Sequence, residues 1–271
     1  MVLNPDTKYF QIHFLFDFSR IMKKTFFSLA ILCCVALGAF AQQTEGIVTY
    51  EHKYNWIKVN SRLTYLSKEE KDRMQLTWGN EDNGPGTKMK LIFNDKQSIY
   101  TYGNEQGQTE DGRYSWRQEE YLVYRNFEKE KIIEHYEMLG KTFLLEDSLM
   151  SYNWRIQNQI KDVAGYVCMK AETFDPIKNH KITAWFAQDI PVPAGPERYL
   201  GLPGVILELD INDGDVIVSA QKVELKNVDK DLTLPKMKGK KIKNSDYDQL
   251  LKKHIADSIK AQRNPYWSIR Y

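Results

Sequence analysis

Gly195-Pro196-Glu197-Arg198-Tyr199-Leu200-Gly201-Leu202-Pro203-Gly204, running directly into Val205-Ile206-Leu207-Glu208-Leu209, decides how this chain is read. Proline fixes φ at about −65° and carries no amide donor, whereas glycine accepts positive φ, so two Gly-Pro-type units this close together demand one particular chain path. The apolar run that follows has the composition of a strand. The stretch therefore predicts a built corner that feeds a strand and shapes one rim of a sheet. Its motif residues are Gly195, Pro196, Tyr199, Gly201, Leu202, Pro203 and Gly204. None of them is a nucleophile, a base or a metal ligand, so the corner specifies a path and leaves the binding residues unknown.

Gly201-Leu202-Pro203-Gly204-Val205-Ile206 closely resembles the signature of the GLPGLI family, from which it departs by one conservative change. The resemblance also takes in Ala164-Gly165-Tyr166-Val167-Cys168-Met169-Lys170-Ala171, Thr183-Ala184-Trp185-Phe186 and Asp189-Ile190-Pro191, and extends over roughly the whole exported part. It implies a secreted or periplasmic protein of Bacteroidetes-type bacteria with no assigned activity. It carries no catalytic residues that map onto this chain.

Export also follows from the residues. From Met22 the order is Lys23-Lys24, an apolar core over 26–37, and then Ala39-Phe40-Ala41, which is the charged, apolar and small-residue order of a cleavable signal peptide. The core is short for a membrane span. Residues 1–41 are thus read as an N-terminal extension plus signal peptide with the true start at Met22, and 42–271 as a single domain without a transmembrane segment. The expected location is the periplasm, the outer-membrane surface or the exterior. Lys8, Arg20, Lys23 and Lys24 leave with Asp6 and Asp17, so 38 basic and 36 acidic residues become 34 of each. A neutral domain lacks the electrostatic footprint of a nucleic-acid binder. Cys168 alone remains of three cysteines, which excludes an intramolecular disulfide and suits a buried thiol in an apolar strand.

Outward from the corner, strand signals dominate. Residues 44–54 alternate apolar and polar side chains and predict the first strand. Residues 88–94 and 97–102 read as a pair about a tight Asn94-Asp95 turn, and 121–126 and 131–136 as a second pair. Residues 142–145, 154–160, 166–173 and 181–186 continue the rhythm. Residues 205–211 and 216–225 flank Asn212-Asp213-Gly214-Asp215, where Asp-Gly predicts a two-residue type I′ turn, with Ile211 facing Val216 and Leu209 facing Val218. Ser67-Lys68-Glu69-Glu70 opens a short helix toward Met74, followed by a loop over 78–86, while 103–112 is polar and Gly-punctuated. The best-written helix spans about 245–262, capped by Ser245, with Tyr247, Leu250, Leu251, His254, Ile255 and Ile259 at helical spacing. The lysine-rich segment 232–243 reads as an extended connector. The fold class is therefore mainly β within an α+β frame: a single curved antiparallel sheet, half-barrel or sandwich, with a C-terminal helix packed on it.

Chemistry-bearing motifs are missing from the text. There is no Gly-x-Ser-x-Gly, phosphate loop, His-Glu-x-x-His or paired-cysteine zinc pattern, so no catalytic residue, metal site or cofactor is assigned. His52, His135, His180 and His254 fall on different elements and read as surface or edge residues. Residues 210–215 read as a turn rather than a calcium loop, because the glycine is one place early and the closing Glu is lacking. Glu208 and Asp210 share a strand face and read as solvated. Fifteen of sixteen tyrosines and all six tryptophans follow residue 41, giving the exported part an excess of rings with polar tips. These residues point to a non-enzymatic envelope protein that binds an apolar, lipid-like or amphipathic ligand in a curved sheet. The alternatives are a module docking on an outer-membrane or envelope protein partner through the corner, and a hydrolase with a composite site.

Overall fold

The computed structural model describes residues 44–79, 86–104, 107–108 and 115–271. The expected start at Met22, the leader, most of the 78–86 loop and most of the 103–112 stretch lie outside the described residues. The described residues form one compact unit.

In chain order the elements are β1 (Gly46–Tyr54), α1 (Trp56–Ser61), α2 (Lys68–Trp78), β2 (Thr87–Phe93), β3 (Gln97–Tyr102), β4 (Gly107–Gln108) and β5 (Ser115–Trp116). There follow β6 (Tyr121–Asn126), β7 (Lys131–Met138), β8 (Lys141–Ser148), β9 (Arg155–Val163), β10 (Tyr166–Asp175) and β11 (His180–Ala187). The chain ends with β12 (Val205–Ile211), β13 (Val216–Leu225), β14 (Lys240–Ile242), α3 (Asn244–Lys260) and a 3₁₀ turn, Pro265–Trp267. Among the described residues, β4 pairs only with β5, and the other strands form one 12-stranded sheet in the order β14-β8-β7-β6-β3-β2-β1-β13-β12-β11-β10-β9. All its neighbours are antiparallel except β14, which runs parallel to β8. The sheet is open, with β14 and β9 as its edges.

It is also strongly curved. Laid flat, β7 and β10 would be eight strand spacings, or about 38 Å, apart, yet residues of both line one cavity. Register shifts at Thr49/Tyr50, Met169/Lys170 and Trp185/Phe186 add the local bends that such closure needs. Alternation then does the sorting. On β1 the even-numbered Val48, Tyr50 and His52 turn to the concave side and are buried, while their odd neighbours are half exposed. Cys168 is fully buried in this core, and burial pushes its thiol up to about 12. A second, smaller cluster, Ile92, Ile99, Val228 and Leu232, covers the opposite face of β2 and β3. Among the described residues no helix is long and apolar enough to cross a membrane.

Several sequence expectations are refined. The β12–β13 register pairs Ile211 with Val216 and Leu209 with Val218 as predicted. The connection, however, is a four-residue loop and not a two-residue turn. Asn212, Asp213 and Gly214 all take positive φ, and Asp215 N donates to Ile211 O at 3.1 Å, because Asp210 and Asn212 side chains hold the loop open from within. Ser67 and Glu70 form the expected capping box, but α2 continues past Met74 to Trp78 on helix-favouring residues. Ser245 does not cap α3. Lys243 occupies the cap position, and the carboxylate of Asp147 on β8 accepts from Asn244 N at 3.0 Å, so a neighbouring strand supplies the cap. The apolar stripe rotates accordingly, with Tyr247, Leu251 and Ser258 buried and Ile259 42% exposed. Residues 240–242 of the connector join the sheet as β14.

Candidate functional site

The corner between β11 and β12 folds inward, into the concavity of the sheet. Gly204 must be glycine because a Cβ there would lie 2.1 Å from the Ala187 carbonyl oxygen. Gly201 adopts φ +92° with open space around it, so its requirement is conformational. Val205 N and Ile206 N donate to Ile190 O and Ala194 O at 3.0 and 2.9 Å, fastening the loop to the strand it feeds. Ile190, Val192, Ala194, Leu200 and Leu202 are buried, and Gly201 and Pro203 remain exposed. The expectation that this corner shapes a rim is therefore corrected: it fills the interior, because its apolar side chains find the core there.

The tip of the loop carries two charges to the middle of the molecule. Glu197, in a left-handed conformation at φ 55° and only 6% exposed, receives Arg270 through Nε at 2.6 Å and Nη2 at 2.7 Å. Tyr121 and Tyr100 donate to it at 2.7 and 3.1 Å, and His52 Nε2 lies 3.4 Å away. Its carbonyl accepts from Arg125, a fully buried guanidinium. Arg198 reaches Glu134 at 2.7 Å and Asn244 at 2.6 Å and lies over the Tyr247 ring at 5.3 Å. Carbonyls of the same loop accept from Tyr152 and Trp154 at 3.1 and 2.9 Å. Burial opposes ionisation of Glu197, but Arg270 and the tyrosine donor outweigh it and hold the carboxyl at about 2. Burial, reinforced by Arg270, brings His52 down to about 4, so its imidazole is neutral at pH 7.

Beside this hub lies a cavity of about 930 Å³. Among the described residues nine tyrosines line it, together with Trp56 and Trp267. They come from both halves of the sheet, from α3 and from the C-terminal segment. Tyr54 stacks on Trp56 at 4.7 Å, Tyr136 meets Tyr247 at 4.8 Å and Tyr152 meets Tyr199 at 5.2 Å. Such rings offer broad apolar faces with hydrogen-bonding edges. The tyrosine excess in the sequence is thus largely the wall of one cavity. The C-terminal residue is tied down behind it: Tyr271 donates to Asp215, which also receives Arg62 at 2.6 Å and Asn212 at 2.6 Å.

Of the corner's motif residues, Tyr199 lines this cavity, whereas Gly195, Pro196, Gly201, Leu202, Pro203 and Gly204 do not. Glu197, Arg198, Arg270 and the β10–β11 turn were not singled out from sequence. A Glu-Arg pair set inside an apolar, glycine-bounded loop was the available signal; nothing local marks Arg270. The histidines correct their expectation. His52, His135 and His180 are buried, because each finds a partner inside: Glu197, the Lys238 carbonyl at 3.0 Å and the Tyr266 hydroxyl at 3.2 Å, respectively. Glu208 and Asp210 lie outside the cavity, the first paired with Lys161 and accepting from Ser219 at 3.1 Å, the second bonded to Gly214 N. The Asp210–Asp215 loop is likewise engaged by Lys58, Arg62 and Lys181. Among the described residues no group of three or more His, Cys, Asp or Glu side chains assembles as a metal site.

The same corner is where the chain meets known sequences. A family model described as "Protein of unknown function (Porph_ging)" matches residues 176–208, which take in the turn before β11, the whole inward loop and the start of β12. No curated protein matches the chain. Among solved structures the chain is similar to "Structure of PNGF-II in C2 space group", at 14% identity and TM-score 0.49 over 76% of this chain and 32% of that one. The P21 form of PNGF-II gives 14% identity and TM-score 0.48 over 77% and 33%. The chain spans about a third of the length of these structures.

Proposed function

We propose that this chain is a non-enzymatic, exported envelope protein of the GLPGLI type, which holds an apolar or amphipathic ligand in the tyrosine-lined cavity. The observation that carries the reading is the cavity itself: about 930 Å³ of preformed space walled by rings with polar tips, a size and lining suited to a small-molecule ligand. Glu134 and Glu197 are locked by Arg198 and Arg270, and neither stands free as an acid or base. The corner exposes only Gly201 and Pro203 among its seven motif residues, a small surface for docking on an envelope partner. Export, with a periplasmic or outer-membrane location, rests on the order of residues 22–41.

The test is mass spectrometry of organic extracts from protein purified gently from the cell envelope. A stoichiometric small molecule, released on unfolding and lost when Tyr152 and Tyr199 are both replaced by Ala, is the expected result. A clean blank, together with no thermal stabilisation by any member of a lipid and amphiphile panel, would overturn the reading.

A further inference from the structure

We propose that the ligand of this cavity is an amphipathic monoanion, whose carboxylate, sulfonate or phosphate oxygens pair with Lys178 while its apolar or aromatic body lies against the tyrosine rings. The inference rests on the ligand-binding reading above and adds the charge and the anchoring residue.

Lys178 stands in the β10–β11 turn and lines the cavity. The turn is built by Asp175, whose Oδ1 accepts from the backbone N–H of Ile177 at 2.8 Å and of Lys178 at 3.1 Å, and by Asn179 in a left-handed conformation. Asp175 is therefore spent on the backbone and does not come within ion-pair distance of the lysine it presents. Among the described residues the Lys178 ammonium has no hydrogen-bond or ion-pair partner. That sets it apart from the other cations of the cavity: Arg270 is matched to Glu197, Arg198 to Glu134, Arg155 to Glu172 at 2.9 Å, and Lys181 to Glu172 and Asp213 at 3.4 and 3.3 Å. Lys178 is half-buried, and an unpaired ammonium on a cavity wall is less well solvated than one in open water, which favours an anionic partner. Burial lowers its ammonium to about 8, even though Asp175 and Glu197 act to raise it.

A second group in the same wall lacks a well-placed acceptor. Tyr136 is 5% exposed, and its buried hydroxyl neighbours that of Tyr247 without a hydrogen bond of good geometry. An anionic oxygen is an acceptor for both a phenol and an ammonium, and a charge-assisted hydrogen bond is stronger than a neutral one. Asp248, on α3, lines the same cavity without an ion-pair partner, and the lining carboxyls outnumber the lining basic side chains, which disfavours a ligand of more than one negative charge. The nine tyrosine rings supply the rest of the contact surface.

Two fluorescent probes of nearly the same ring skeleton separate charge from shape: anilinonaphthalenesulfonate, a monoanion, and phenylnaphthylamine, its uncharged counterpart. The full chain binds the anion about tenfold or more tighter than the neutral probe, the effect of one charge-assisted hydrogen bond. Lys178→Gln brings the two affinities together by weakening only the anion, and Lys178→Arg keeps the preference. A wild-type pH series tests the same point without any variant. The groups facing Lys178 are Asp175, Glu197, Arg198, Arg270, His52 and His180; Glu197 is held ionised, the histidines neutral and both arginines charged, so raising pH from 7 to 10 discharges the lysine and erodes the preference. Equal affinity for both probes in the wild type, or a preference untouched by Lys178→Gln and by pH, overturns the anion site and leaves a ligand cavity standing. Binding of neither probe to the folded chain overturns the anion site, and the extract and ligand panel above then decide the cavity reading separately.

Discussion

Replacing Glu197 by Gln is the sharpest test of how this interior is held together. The change keeps the shape of the side chain and removes its charge. Arg270 then loses a two-pronged partner at 2.6 and 2.7 Å, and the hydroxyls of Tyr121 and Tyr100 lose a carboxylate acceptor. Breaking a buried pair from one side leaves an uncompensated charge and costs about 3–5 kcal/mol. The ionisation of Glu197 gives a separate route to the magnitude. A carboxyl whose pKa falls from 4.5 to about 2 on folding contributes about 3 kcal/mol at neutral pH. The sign is that of a depressed carboxyl: the contribution is complete above 4.5 and is lost as pH falls toward 2. Urea unfolding at pH 7 should therefore place Glu197→Gln about 3–5 kcal/mol below wild type, equivalent to roughly 6–20 °C in Tm for a domain of this size. Between pH 4.5 and 2 the gap should close. The double variant Glu197→Gln, Arg270→Met should recover part of the loss, since no buried cation is then stranded. A single-variant loss below about 1 kcal/mol, or strict additivity in the double, would refute the buried-pair account.

Two further outcomes follow from the same structure. Gly204→Ala should destabilise by about 3 kcal/mol, because its Cβ meets the Ala187 carbonyl oxygen at 2.1 Å, and Gly201→Ala by only about 1–2 kcal/mol, because it violates φ +92° in open space. Asn, which tolerates the left-handed region, should rescue position 201 and not 204; equal melting temperatures for the two Asn variants would contradict that division. Burial lowers His52 from 6.5 to about 4 and His180 to about 3, so below pH 6.5 the unfolded chain takes protons that the folded one refuses, and acid erodes stability. Each contributes about 1.4 kcal/mol per pH unit, or about 5 kcal/mol for the pair between pH 6.5 and 4.5. His52→Gln should remove about half of that slope in urea titrations, and an unchanged slope counts against the buried neutral imidazole.

The elements of this fold were legible locally because their signals are local. Alternation read over 44–54, the Ser67–Glu70 box and the Ile211–Val216 register are written in neighbouring residues; the structure places the strand on 46–54 and keeps the box and the register. The inward path of the corner was half legible: Pro and Gly specify that the chain must turn, while the side of the sheet it fills depends on where Ile190, Val192 and Leu202 find apolar contact. The cap of α3 from Asp147 and the turn length at 212–215 were not legible, since their partners lie in another strand or in competing side chains.

For the site the division is sharper. Composition determined that many rings with polar tips had to be placed somewhere, and residue spacing determined that none of the four chemistry-bearing motifs named above is written in the chain. Only the tertiary structure decided that residues 52, 121, 197 and 270 share one ionic centre and that Lys178 faces the same cavity as Tyr136. The reason is physical. Curling a 12-stranded sheet brings together residues far apart in sequence, and charge pairing at short range depends on that closure and on nothing the local pattern encodes.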